Sequence, residues 1–175
     1  MHRFSMILVL LAALIATAAV RPQVTKSPAH NHAMSQIIDG AVHPELIPDL
    51  TAYRLWLVAV SVPPLPTENQ SKRQLAQLAT ISLQDSDRDK LITILADFNT
   101  KYQAVIQRYN AEATVEMARG EKPDVASMRL QRDQLVRSAH DRIKVVLTSE
   151  GWSRLDAHIQ NEKRRMKIHL EGDPQ

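Results

Sequence analysis

Histidine and carboxylate side chains are the residues of this chain whose types and spacing could bind a metal ion. His30 and His32 lie two residues apart, and together with His43 they could bind copper or zinc weakly through their imidazole rings. The segment around them lacks hydrophobic periodicity, so the cost of ordering flexible ligands would oppose binding. We interpret these three histidines as incidental polar residues.

A second set of candidate ligands lies near the C-terminus. His158 and His169 are eleven residues apart, which is close to three helical turns, and Glu162 lies one turn after His158. If a single helix spans residues 149–170, the two histidines share one face of it. They would then form half of a metal site.

Two glutamates earlier in the chain could complete such a site. Glu112 and Glu116 form a like-charge pair one helical turn apart, which destabilises a helix by roughly a few tenths of a kcal/mol. Arg108 and Arg119 can offset that repulsion without a metal. We therefore predict no metal site, and the weak candidates for ligands are His30, His32, His43, His158, Glu162 and His169.

Other site chemistries lack the residues that they need. The absence of cysteine excludes disulfides, thiol nucleophiles, thiolate zinc sites and covalent c-type haem. The four glycines fit neither a dinucleotide loop nor a phosphate loop, and the G-x-S-x-G nucleophile turn is missing. No nucleophile and base stand at a recognisable spacing. The sequence therefore predicts no catalytic residue and no cofactor, and its net charge of +3 is too small to predict a nucleic-acid partner.

The first residues have the pattern of a secretory signal peptide. Arg3 supplies a positive start, an apolar run follows, and Ala16 and Ala18 form a small-x-small cleavage site. The apolar run over residues 6–20 is shorter than the roughly 20 residues that span a bilayer, and an uncleaved anchor is the alternative. We predict a signal peptide over residues 1–19 and an exported protein, periplasmic or extracellular, without stable membrane insertion after cleavage.

Hydrophobic periodicity beyond Asp49 predicts an all-α fold. Apolar or aromatic residues from Leu91 to Tyr109 recur at alternating spacings of four and three, as in the seam of a coiled coil, and the stripe continues to Ala113 and Met117. This seam predicts a helix at about 85–119, and the next apolar stripe predicts an antiparallel partner at about 125–147. The remaining predicted segments are a flexible leader and turn segment at 20–48, a single helical domain at 49–171, a C-terminal helix at about 149–170 and a tail at 172–175.

Two shorter helices are predicted before the hairpin. Pro48 and Asp49 are a helix-start signal for LTAYRLWLVAVSV, although the alternation of Trp56, Val58 and Val60 leaves a strand as the alternative. Thr67 followed by Gln70 has the spacing of a capping box and predicts the second short helix.

A basic patch, EKRRMK, lies at residues 162–167. Lys163, Arg164, Arg165 and Lys167 carry its four positive charges. Cations suit the C-terminal end of a helix, and ordinary surface charge is the simple interpretation. Weak contact with an anionic surface, either lipid or an acidic partner, is the alternative.

The stretch IDGAVHPELIPDLTAYRLWL, Ile38–Leu57, resembles a signature near the start of small exported bacterial proteins whose function is uncharacterised. The resemblance implies the same helical layout over most of the mature chain and implies no activity. In that pattern an N-capping asparagine more often stands at the position of His43. The resemblance therefore argues against a metal site built on histidine.

The stretch LTSEGWSRLDAHI, Leu147–Ile159, resembles a Leu-Thr-x-x-Gln helix start. This motif is repeated in the periplasmic stress chaperones and stress sensors, which are helical cradles poor in cysteine. Leu147 and Thr148 match it, but Gly151 stands in the place of the glutamine, and LQDSD at residues 83–87 is a poorer match.

The long apolar seam and the missing catalytic signatures together predict a non-enzymatic exported protein. It would bind another protein, or assemble with itself, through its long helices. A stress chaperone or sensor of the cradle type is the alternative, and a weak binder of divalent metals is the second alternative.

Overall fold

Five α-helices and two short strands follow one another along residues 36–170, the part of the chain that the computed structural model describes. In chain order the elements are β1 (Gln36–Asp39), α1 (Asp49–Val60), α2 (Glu68–Ala79), α3 (Asp85–Ala118), α4 (Val125–Val146), α5 (Ser149–Glu162) and β2 (Lys167–Leu170). The mostly helical architecture confirms the all-α prediction for these residues, with the sheet as an addition. The predicted signal peptide, His30, His32 and the predicted tail lie outside the described residues.

The helix boundaries follow the local signals of the sequence. The Thr67 hydroxyl accepts from the backbone N–H of Gln70, whose side chain accepts in return from the N–H of Thr67, so the predicted capping box is confirmed. Asp124 caps α4 by accepting from the N–H of Ser127. Gly120 has a φ of +76° just after α3 and closes that helix.

The hydrophobic core lies where α1, α3, α4 and α5 meet. The antiparallel hairpin of α3 and α4 supplies one side, and α1 packs against both of its helices and against α5. The largest apolar side chains that are fully buried are Ile47, Leu57, Leu78, Leu91, Leu95, Val136, Ile143, Leu155 and Ile159. This core lies at one end of the hairpin, around residues 91–98 of α3 and 136–143 of α4.

The predicted C-terminal helix at 149–170 is wrong in its second half. α5 ends at Glu162, and after one 3₁₀ turn the chain becomes β2. This strand pairs antiparallel with β1, placing Ile38 opposite Ile168. Met166, Ile168 and Leu170 alternate with polar residues, which is the two-residue period of a strand. The backbone groups of β2 form their hydrogen bonds with β1 instead of with the preceding turn of a helix.

The predicted leader at 20–48 is also partly structured. Besides β1, it contains a 3₁₀ turn at Pro44–Leu46, and the N–H of Gly40 donates to the carbonyl of Met166 at 2.8 Å. Ile38 and Ile47 from this segment are buried in the core. The start of the described chain is therefore held against its end.

α1 is a helix, so the strand alternative is wrong. It buries Tyr53, Trp56 and Leu57, whereas Leu55 and Val58 remain exposed. None of the helices within residues 36–170 is both long enough and apolar enough to cross a membrane.

A buried carboxylate joins the starts of α3 and α5. Asp87 is fully buried, and its oxygens accept from the hydroxyl of Thr148 at 2.5 Å and from the Thr148 N–H at 3.2 Å. The Thr148 hydroxyl hydrogen bond lowers the pKa of Asp87. A Cβ atom on Gly151 would lie 2.1 Å from one Asp87 oxygen. A side chain at position 151 would therefore collide with the Asp87 carboxylate.

Candidate functional site

An open groove of about 580 Å³ lies between α1, the end of α2 and the end of α5. Its size is within the usual range of sites for small molecules or short peptide segments. The groove is lined by Leu55, Trp56, Ala59, Val60, Gln77, Thr80, His158, Asn161, Glu162, Arg165 and Met166.

The floor of the groove is apolar because α1 turns one side of its hydrophobic surface toward it. Leu55, Trp56 and Ala59 come from successive turns of that helix, and Met166 closes the floor from the segment between α5 and β2. Helical spacing of three and four residues places the α1 side chains together. The groove therefore offers hydrophobic contact along a strip rather than at a single point.

The walls of the groove are polar but electrically balanced. Arg165 donates to Glu162 at 3.0 Å, so the guanidinium and the carboxylate of the α5 wall neutralise each other. Asn161 forms no side-chain hydrogen bond within the described residues. The wall therefore presents an amide that can both donate and accept.

Gln77, on the wall formed by α2, has an unsatisfied polar atom. Its side-chain oxygen Oε1 is buried and has no hydrogen-bond partner in the described part of the chain. An unpaired buried acceptor costs about 1–3 kcal/mol. The neighbouring Gln74, by contrast, is satisfied, since its amide donates to the carbonyl of Val60 at 3.1 Å.

The structure brings together only two of the predicted metal-ligand candidates. His158 and Glu162 both line the groove. His169 is on β2, so the prediction that it shares a helix face with His158 is wrong. His43 instead contacts Glu45 at 3.1 Å in an exposed turn.

The glutamates proposed to complete that site are elsewhere. Glu112 and Glu116 line a separate shallow pocket with Asp124, where α3 ends and α4 begins. Within residues 36–170 no group of three or more histidine, aspartate or glutamate side chains is arranged to hold a metal ion. The half-site inferred from helical spacing does not form, because α5 ends before His169.

The predicted basic patch is largely neutralised by ion pairs. Lys163 is buried and donates to Asp49, Arg165 pairs with Glu162, and Lys167 pairs with Asp39 at 3.0 Å. The bond from Lys163 is the main reason that the pKa of Asp49 is lowered. Three of the four cations therefore belong to the contacts that fix the C-terminal segment.

Sequence reasoning missed a polar and aromatic cluster on the opposite side of α1. The Tyr53 hydroxyl donates to Asp156 at 2.6 Å, and burial, aided by this bond, raises the pKa of Tyr53. The His140 ring lies edge-on to Tyr53 and to Trp152, with centroid distances of 4.7 and 5.2 Å. The members are up to 103 residues apart in sequence, so no local spacing could reveal them.

The cluster borders a small cavity of about 350 Å³ lined by Asp49, Leu50, Tyr53, Arg137, His140 and Asp141. His140 contacts the Asp141 carboxylate at 2.9 Å. The phenol of Tyr53 stays protonated at neutral pH, because burial and Asp156 both oppose its ionisation. The cluster therefore acts as a satisfied hydrogen-bonded support for α1.

Comparison of the chain with protein-family models, with curated proteins and with solved structures finds no match in any of the three. The resemblances carried by Ile38–Leu57 and by Leu147–Ile159 therefore stay predictions.

Proposed function

We propose that this protein is an exported, non-enzymatic assembly protein that associates with a second copy of itself through the far end of its helical hairpin. We call this end the arm, defined as residues 103–131. Export is supported by the predicted signal peptide, and the assembly role is supported by the packing of the arm.

The observation that carries the proposal is the lack of a core in the arm. Between residues 99 and 135 only Ala113 is buried, whereas the other end of the same hairpin has eight buried residues, five in α3 and three in α4. At 1.5 Å per residue, the α3 portion of the arm is about 25 Å long. The α4 part of the arm, residues 125–131, is only about 10 Å long, so it covers one side of α3 at most and leaves the remaining apolar positions in solvent.

The surface of the arm suits a second copy of the chain. Val115, Met117 and Leu130 are large apolar side chains that remain exposed there. The arm also carries four basic and four acidic side chains, namely Arg108, Arg119, Lys122, Arg129, Glu112, Glu116, Glu121 and Asp124. A surface with zero net charge and both signs present can pair with itself without repulsion.

The area of the arm is sufficient for a weak dimer. The α3 part of the arm is about 25 Å long and its α4 part, residues 125–131, is about 10 Å long, so at a width of about 10 Å per helix the arm presents roughly 350 Å² per copy. Two such sides would bury about 700 Å² in total, which is the size range of weak and transient contacts. We therefore expect a dimer with a dissociation constant on the order of 10 µM rather than a permanent complex.

Analytical ultracentrifugation over a range of concentrations tests this proposal. The expected result is a reversible shift from monomer to dimer in the micromolar range. Val115→Glu places a charge in the arm and should weaken dimerisation about tenfold or more, since an unpaired charge would be buried. Val145→Glu is the matched control, because Val145 is also an exposed valine of the hairpin but lies outside the arm.

A strict monomer at every concentration would refute the assembly role. A dimer that Val115→Glu and Val145→Glu weaken equally would refute the assignment to the arm. Circular dichroism of both variants checks that each remains folded.

A further inference from the structure

We propose that the groove between α1, α2 and α5 binds an extended, uncharged and apolar segment of another polypeptide. The inference rests on an apolar floor bounded by two side-chain amides, those of Gln77 and Asn161. The groove shares no residue with the arm, so this binding site is independent of the proposed self-association.

The apolar floor requires a hydrophobic occupant. Leu55 is 39% exposed although it lies on the same helix as the buried Trp56 and Leu57. An occupant that covers Leu55, Ala59 and Met166 would remove this surface from water, which is the main source of affinity in such sites.

The amides favour a polypeptide as the occupant over an acyl chain. The Gln77 oxygen is buried without a donor within residues 36–170, and the Asn161 side chain is exposed at the edge of the groove, where its amide is open to a ligand. A peptide backbone offers an N–H donor and a carbonyl acceptor at each residue, so it can satisfy both amides. The terminal amide of Gln77 can rotate to turn its oxygen toward a ligand, since that torsion is broad. The hydrocarbon part of an acyl chain could satisfy neither amide, and its carboxylate could offer no donor to the Gln77 oxygen.

The charge balance of the groove makes an uncharged segment the preferred occupant. Glu162 and Arg165 are already paired with each other at 3.0 Å. A charged side chain entering the groove would lose hydration without gaining an unpaired counter-ion. Uncharged stretches with alternating apolar residues avoid this cost.

The two tryptophans of the chain allow a direct test. Trp56 lines the groove and Trp152 lies in the aromatic cluster, so the variant Trp152→Phe reports emission from Trp56 alone. The probe is the capped peptide acetyl-Ala-Leu-Ala-Leu-amide, which carries no charge. The expected result is a saturable change in Trp56 emission, whereas the same peptide methylated at its backbone nitrogens should bind at least about fivefold more weakly.

Two exposed residues of α1 form a matched pair for this test. Leu55 and Val58 are 39% and 42% exposed, but only Leu55 lines the groove. Leu55→Ser should raise the dissociation constant about tenfold, the effect of losing one buried apolar side chain. Val58→Ser should leave it within about twofold, which controls for a change in helix propensity.

Gln77→Leu separates a binding role from a structural one. The substitution removes the unpaired buried oxygen, so the protein should be equally or more stable to urea. Affinity for the peptide should nevertheless fall about fivefold. This opposite effect on stability and on binding is expected only if the amide is kept for a ligand.

Four results would overturn the proposal. They are a lack of saturation up to the solubility limit of the peptide, equal effects of Leu55→Ser and Val58→Ser, undiminished binding of the methylated peptide, and octanoate binding as tightly as the peptide. The last result would assign the groove to an acyl chain. Val115→Glu should leave the titration unchanged, so failure here and failure of arm-mediated assembly are distinguishable.

Discussion

Replacing Gly151 by alanine should destabilise the protein, although the same change in the first turn of most helices is stabilising. Alanine is normally favoured over glycine in a helix by about 0.4–1 kcal/mol. Here the new methyl group would lie 2.1 Å from Oδ2 of Asp87, so the carboxylate must move. Asp87 is fully buried, and moving it weakens the two hydrogen bonds that it accepts from Thr148.

The magnitude follows from those two bonds. A hydrogen bond to a charged group contributes about 1.5–3 kcal/mol to the free energy of unfolding. The loss of most of that contribution from one or both Thr148 bonds is larger than the gain in helix propensity from alanine. We expect Gly151→Ala to cost about 2–3 kcal/mol, equivalent to a fall in melting temperature of roughly 5–10 °C for a chain of this size.

A double-mutant cycle with Asp87→Ala provides the decisive measurement. Without the carboxylate the methyl group has space, so Gly151→Ala should stabilise the Asp87→Ala variant by about 0.5 kcal/mol. The coupling energy between the two positions is then about 3 kcal/mol. Urea unfolding followed by circular dichroism measures all four free energies. If Gly151→Ala stabilises the protein in both backgrounds, the close contact at Asp87 does not exist in solution.

The same carboxylate predicts the response to acid. Because folding lowers the pKa of Asp87, the unfolded chain takes up this proton at a higher pH than the folded chain. The contribution of Asp87 to stability is complete when the pH is above its pKa in the unfolded chain, which is about 4. This contribution is lost as the pH falls through the lower pKa that Asp87 has in the folded protein. Asp87→Asn should therefore flatten the decline in stability below about pH 4.

Two further predictions concern the contacts that hold α1. Folding raises the pKa of Tyr53, so the contribution of its hydroxyl to stability should be intact below about pH 10 and decline above it. Absorbance at 295 nm should show one tyrosine that ionises only when the protein unfolds. The Tyr53→Phe variant should lack this late ionisation. The ion pair between Lys163 and Asp49 should be asymmetric, because the lysine side chain is 9% exposed and the aspartate side chain 69%. Asp49→Ala leaves a buried charge unpaired and should destabilise the protein more than Lys163→Met does in urea unfolding. Equal effects would contradict the burial of Lys163.

The candidate site could be anticipated only in fragments. His158 and Glu162 were recognisable as neighbours on a helix, because a spacing of four residues is one helical turn. Their shared position in a groove was not recognisable, since α1 and α2 supply the floor and the other wall. The buried oxygen of Gln77 likewise depends on how α2 packs, which no local pattern encodes.

The sequence by itself determined the helices and most of their limits. Capping side chains, prolines and Gly120 act within a few residues of the backbone groups that they satisfy, so their effects can be predicted locally. The hairpin of α3 and α4 follows from their apolar seams and the short connection between them.

The tertiary structure alone decided which side chains and segments meet across long separations. β1 and β2 are four residues long each and pair across about 130 residues of sequence. The sequence of a short strand does not indicate which distant strand it pairs with. Asp87 lies in the first turn of α3, where acids are common and usually exposed, but the Thr148 cap and the absence of a side chain on Gly151 allow it to be a buried link between α3 and α5. The burial and pairing of polar groups arise from packing between distant elements. In this protein such packing occurs at the end of the hairpin that contacts α1 and α5, and the arm lacks it.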